Sequence, residues 1–131
     1  MTKTLPSLVA AAMIGLAGAA QAQTIADATP VAVVVKVPVP PAAGLTPDRL
    51  HASFEQTIPQ YRAIPNLARK YFTISEDGSQ FGGVYLWTSY AAARAYYSPA
   101  WHERVVKTYG NPATVEYFDA KVRMVGAAQL D

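Results

Sequence analysis

LARKYFTISEDGSQFGGVYLWT, residues Leu67–Thr88, decides the fold. From Leu67 to Ser75 the side chains alternate, with Arg69, Tyr71 and Thr73 on one side and Lys70, Phe72 and Ile74 on the other. A period of two is the mark of a β-strand. Glu76-Asp77-Gly78-Ser79 reads as a hairpin turn, because Asp-Gly supplies the positive φ that such turns need. Phe81 to Thr88 is then a further strand, antiparallel to the one before it. Gly82-Gly83 near its start predicts a bulge or a close approach of backbones.

Outward from this hairpin, each side supplies one helical unit and one strand. On the N-terminal side, Val31-Ala-Val-Val-Val-Lys-Val-Pro-Val39 is β-branched almost throughout and reads as the first strand. It is apolar on both faces apart from Lys36, and such strands are normally covered on both faces. Pro40 to Gly44 is a turn. Thr46-Pro47-Asp48 starts a helix with a hydroxyl cap, a proline at the first helical position and an acid in the first turn. Leu50, Phe54, Ile58 and Tyr61 form its apolar face. Pro59 is expected to kink or fray the last turn, and Ile64-Pro65-Asn66 to end the helix. On the C-terminal side, Thr88 or Ser89 caps a helix from Tyr90 to Tyr97. Ser98-Pro99 restarts it on a new axis, with Trp101, Val105 and Tyr109 at spacings of four. Gly110 is the expected C-terminal cap. Thr114 to Val125 reads as the last strand.

The order is β-α-β-β-α-β, the ferredoxin-like arrangement of one four-stranded antiparallel sheet with helices on one face. Two short helical units cannot also cover the other face of the Val31–Val39 strand. The economical cover is a second copy packed sheet against sheet, so a homodimer is expected.

The first residues are of a different kind. Lys3, the uncharged apolar run Leu5 to Ala20, and Ala20-Gln21-Ala22 ahead of Gln23 have the order of a secretory signal peptide. The run falls short of the roughly 20 apolar residues of a membrane span, so no stable membrane insertion is expected after cleavage. The expected division is a signal peptide at 1–22, a flexible leader at 23–30, the ferredoxin-like domain at 31–126 and a tail at 127–131. The location is then the periplasm or the exterior. The sequence has no Cys, so stability must come from packing, a ligand or a second subunit. With 11 basic and 9 acidic residues there is no basic stripe for nucleic acid.

Several stretches resemble the YdhR-like mono-oxygenase family. Ile64-Pro-Asn-Leu-Ala-Arg-Lys-Tyr-Phe72 is similar to that family's second-strand pattern, and Gly82-Gly-Val-Tyr-Leu-Trp87 to its third strand. Ala92-Ala93-Arg94-Ala95-Tyr96-Tyr97-Ser98 with Trp101 resembles its second helix. Tyr109-Gly110 and Val115-Glu-Tyr-Phe-Asp119 resemble its final segment. The likeness spans Val31 to Val125. It departs at Asn66, where the family often has Gly. The resemblance implies a dimeric α+β barrel, two ferredoxin-like sheets facing each other. Some members of that superfamily oxidise polyketide-like phenols without metal or flavin, and others bind haem through a histidine.

For chemistry, the residues offer no paired-His metal spacing and no glycine-rich phosphate loop, so no metal site is expected. Lys70 and Arg69 point to opposite faces, and one of them should reach a cavity where a cation could hold an anionic or enolate oxygen. Asp119 is a candidate partner for that cation. His102 flanks the apolar face of its helix and is a candidate acid/base group or haem ligand; His51 is similarly placed. Tyr85 and Trp87 share one face. With Tyr71, Tyr97 and Trp101 they either line a pocket for a flat small-molecule ligand or simply pack the core and interface. The expected catalytic residues are therefore Lys70 and His102, and the expected ligand-binding residues Tyr71, Tyr85, Trp87, Tyr97 and Trp101. The expected function is a cofactor-independent mono-oxygenase of small electron-rich aromatic or enolisable compounds. The alternative is a non-enzymatic periplasmic protein that binds an aromatic ligand or haem.

Overall fold

The structure, a computed structural model, describes residues 24–130. The signal-peptide reading falls on residues 1–22 and lies outside them. Four strands, β1 (Val31–Pro38), β2 (Leu67–Ile74), β3 (Gln80–Trp87) and β4 (Thr114–Asp119), form one sheet in the order β2-β3-β1-β4. Every neighbouring pair is antiparallel. Three helices, α1 (Pro47–Arg62), α2 (Tyr90–Tyr96) and α3 (Pro99–Tyr109), belong to the described residues, with a short 3-10 turn at Pro41–Ala43. This is the ferredoxin-like α+β fold.

Alternation sets the faces. Val31, Val33, Val35 and Val37 of β1 are buried toward the helices, beside Phe81, Tyr85 and Trp87 of β3. Trp87 is only 1% exposed, and its indole Nε1 donates to the Tyr97 hydroxyl at 3.2 Å. Hydroxyl caps start the three helices, followed by a proline at α1 and α3. Thr46 accepts from the Arg49 N–H, Ser89 from Ala92 and Ser98 from Trp101. The chain turns between α2 and α3 because Tyr97 leaves helical angles and Pro99 cannot continue the earlier hydrogen bonds.

The hairpin closes as Asp-Gly requires, with Gly78 at φ +74°. The Asp77 carboxylate accepts from the Ser75 hydroxyl and from both the N–H and the hydroxyl of Ser79. These hydrogen bonds hold its carboxyl down at about 2. Close backbone approach is also present: a Cβ on Gly82 would collide with the Val35 carbonyl.

The α1 helix contains the exposed Pro59 in its last turns and ends at Arg62, ahead of Ile64-Pro65-Asn66. One expectation needs correction. β4 ends at Asp119 rather than Val125. The Asp119 carboxylate accepts from the Lys121 N–H at 2.9 Å, which turns the chain off the sheet after its last pairing with Val31. Asn66, the departure from the family pattern, has φ +67°. That is the left-handed region, where Gly is at ease and Asn is tolerated. Its carbonyl accepts from the Thr88 N–H at 2.9 Å, which ties the start of β2 to the end of β3.

Candidate functional site

The β2 strand lies at the sheet edge, and its alternation settles the choice between two cations. Lys70 is opposite Tyr85 in the β2–β3 register and turns toward the helices. There it meets α1, whose Phe54 and Tyr61 both pack on Phe72 of β2, at ring separations of 5.0 and 5.6 Å. The Lys70 Nζ sits 3.3 Å from the centre of the Tyr61 ring, 4.0 Å from Phe72 and 4.6 Å from Tyr85. Gly83 makes room for this arrangement, since a Cβ there would lie 3.0 Å from the Lys70 Cε and 3.1 Å from the Tyr85 ring.

Lys70, Tyr61 and Phe72 stand between two cavities and line both. The outer one, about 540 Å³, opens between the end of α1 and the start of β2, with Ile58, Arg62, Leu67 and Arg69 in its wall. The inner one, about 120 Å³, reaches under α1 to Tyr85, Trp101 and Tyr109. No acidic residue lines either of them.

Two forces act on the Lys70 amine. Burial removes water from the ammonium and pushes it down to about 7 from the usual 10.5, with no carboxylate to counter this. The three ring faces act in the opposite sense, since their negative π surfaces favour the charged form. The amine is thus poised to gain or lose a proton near neutrality. A neutral amine can take a proton from an acidic hydroxyl, and the rings then stabilise the ammonium beside the new anion. Tyr85 cannot compete as a donor to solvent, because burial drives its phenol far above the usual value.

The other sequence candidates are distributed as follows. Tyr85 and Trp101 line the inner cavity. Trp87 and Tyr97 are buried against each other, with their rings 5.9 Å apart, and act as core packing. Tyr71 lies on the opposite face of the sheet, 48% exposed, where its hydroxyl accepts from Arg69 at 3.2 Å. Alternation along β2 puts it out of reach of the helix-side cavities. His102 is half-buried with its ring 5.0 Å from that of Trp101, and His51 is exposed beside Phe54. Neither histidine lines the two helix-side cavities, so a haem held through a histidine does not fit this site. Asp119 is on β4, at the opposite edge of the sheet from Lys70. Among the described residues no cluster of three or more His, Asp or Glu is placed to hold a metal ion.

Sequence reasoning missed Tyr61, Phe72 and Gly83 as parts of the site. A signal was present for two of them. Phe72 is two residues from Lys70 and so shares its face, and Tyr61 belongs to the apolar face of α1.

Residues 41–125 match the sequence family described as "Putative mono-oxygenase ydhR". The chain belongs to this family. No curated protein matches it. Among solved structures, a Nitrosomonas europaea protein of unknown function is similar with a TM-score of 0.56 at 15% identity, covering 79% of this chain and all of that one. The mono-oxygenase ActVA-Orf6 of Streptomyces coelicolor, in complex with nanaomycin D, gives 0.54 at 17% identity, covering 76% of this chain and 94% of its own. SnoaB of Streptomyces nogalater, described as a cofactor-independent oxygenase, gives 0.51 at 20% identity, covering 77% of this chain and all of its own. At such identities these likenesses establish a shared fold. The family member described here carries that fold with a caged lysine at its sheet edge.

Proposed function

We propose that the chain is an exported, homodimeric mono-oxygenase that works without a cofactor on a small electron-rich aromatic or enolisable compound. The observation that carries the reading is Lys70, poised near neutrality between an outer cavity that fits a flat organic molecule and an inner aromatic one. Membership of the mono-oxygenase family and the likeness to a cofactor-independent oxygenase support the reaction class.

The chemistry is written as follows. The neutral Lys70 amine takes the proton of a phenol or enol, and the ammonium so formed holds the anion. The anion is electron-rich enough to give one electron to dioxygen. The radical pair combines as a peroxide anion on a ring carbon that bears hydrogen, the peroxide takes the proton back from the Lys70 ammonium, and the hydroperoxide loses water together with that ring hydrogen to leave a carbonyl there. One oxygen atom enters the product and the other leaves as water, with all electrons supplied by the substrate. The 120 Å³ inner cavity has room for dioxygen beside Lys70.

The proposal of a second copy rests on the sheet face that the helices leave open. Ala32, Val34, Val84 and Leu86 form its half-buried apolar floor, and Tyr71 and Phe118 are each 48% exposed on it. The chain beyond β4 adds Val122, Met124 and Val125, all more than 80% exposed. So much apolar surface is rare on a monomer. Export rests on the order of Lys3, the apolar run and Ala20-Gln21-Ala22.

The test is oxygen uptake by protein treated with a chelator, against a panel of flat polyhydroxylated naphthalenes. Protein-dependent uptake with a quinone product supports the enzyme. Ligands that raise the melting temperature without any uptake would instead make it a binding protein.

A further inference from the structure

The outer cavity has a feature that oxygenation leaves unused. One arginine from the last turn of α1, Arg62, stands in its wall, with Lys70 at its inner end; Arg69 of β2 borders the cavity but sends its guanidinium to the Tyr71 hydroxyl on the other face of the sheet. No carboxylate is among the lining residues. Arg62 is exposed. Ile58, Leu67 and the Tyr61 ring supply apolar walls between the two charged regions. A ligand that satisfies all of this is flat, has an anionic group at one end and meets an amine at the other.

We infer that the Lys70 amine captures the carbonyl carbon of a flat aldehyde or ketone that carries a carboxylate, with the carboxylate held by Arg62. The Nζ lone pair adds to the carbonyl carbon, and the C=O π pair moves to oxygen, which takes the proton released from nitrogen. The carbinolamine then loses water as the second N–H proton departs, and an imine remains. No electron acceptor is needed. The neutral amine that this requires is favoured by the same desolvation that suits a lysine to Schiff-base chemistry. A guanidinium fork matches a carboxylate better than an ammonium does, which places recognition at Arg62 and reaction at Lys70. The inference rests on the cavity used in the proposed oxygenation but involves no dioxygen.

The test is reductive trapping without oxygen. The full chain is incubated with 4-formylbenzoate and cyanoborohydride near neutral pH, and labelled lysines are located by peptide mass mapping. Lys36, Lys107, Lys121 and the N-terminal amine serve as internal comparisons. The inference predicts that Lys70 is labelled at least about tenfold ahead of the other lysines, which no comparable cavity surrounds. It also predicts that benzaldehyde, which lacks the anion, labels Lys70 about tenfold less, and that Arg62→Gln narrows this difference. Label spread evenly over the lysines, or none on Lys70, would overturn the capture. Equal labelling by the two aldehydes would overturn the acid-bearing substrate. Neither readout depends on oxygen uptake, so the oxygenase reading can fail while this stands, and the reverse.

Discussion

Lys70 is the residue on which burial and aromatic contact compete most directly. Its amine is held at about 7 in the folded chain by desolvation, against 10.5 when the group is in water. The unfolded chain therefore binds more protons than the folded one between these values, and stability should rise with pH from about 7 toward 9. Above that range the buried tyrosines reverse the trend, because their phenols ionise more readily unfolded. Urea melts across this window should show the rise in the native protein and a flatter profile in Lys70→Met. Gly83→Ala tests the room beneath the lysine. Its methyl group would press on the Lys70 Cε and the Tyr71 carbonyl, each at 3.0 Å, and should cost about 1–3 kcal/mol of stability while displacing the amine. The sequence showed that one of Lys70 and Arg69 must face a cavity, because alternation is a local property. It did not show which, because that depends on the side of the sheet that α1 covers. Asn66 was visible only as a departure from the family pattern; its positive φ explains why Gly is the usual residue there.

At the scale of elements, the hydroxyl-proline starts at Thr46-Pro47 and Ser98-Pro99 were legible because capping is decided within one turn. Ser98→Ala should lower stability by about 1 kcal/mol in denaturant titration, by removing the acceptor for the Trp101 N–H. Trp87→Ala should cost about 3–5 kcal/mol, the signature of a core residue. Trp87 is almost fully buried and bonded to Tyr97, and it is not among the residues lining the two helix-side cavities. An unchanged unfolding midpoint would contradict its place in the core. One element boundary was less legible. The stretch from Thr114 to Val125 has strand-forming residues throughout, but β1 offers partners for β4 only as far as Asp119. Pairing length is a tertiary property.

For the whole molecule, the open sheet face is the proposed seat of a second copy and the caged lysine the proposed centre of the chemistry. A dimer covering Val34, Val84, Tyr71 and Phe118 should bury on the order of 1,600 Å². Light scattering at micromolar concentration should give twice the chain mass, and Phe118→Glu should shift the mass to that of one chain. The β-α-β-β-α-β order was legible because each element carries its own periodicity and its own stop. The site was less so, since its cage joins α1, β2 and β3 across residues distant in sequence. The central claim is that Lys70 supplies the proton acceptor for an oxygenation that needs no cofactor. Its most direct test is the pH dependence of oxygen uptake by chelator-treated protein with a polyhydroxylated naphthalene, run on the native chain and on Lys70→Met. The account predicts a native rate per bound substrate that climbs as pH rises through about 7, where the amine becomes neutral, and a fall of at least about 100-fold in a folded Lys70→Met. A Lys70→Met protein that turns over at the native rate with the same pH profile would contradict it.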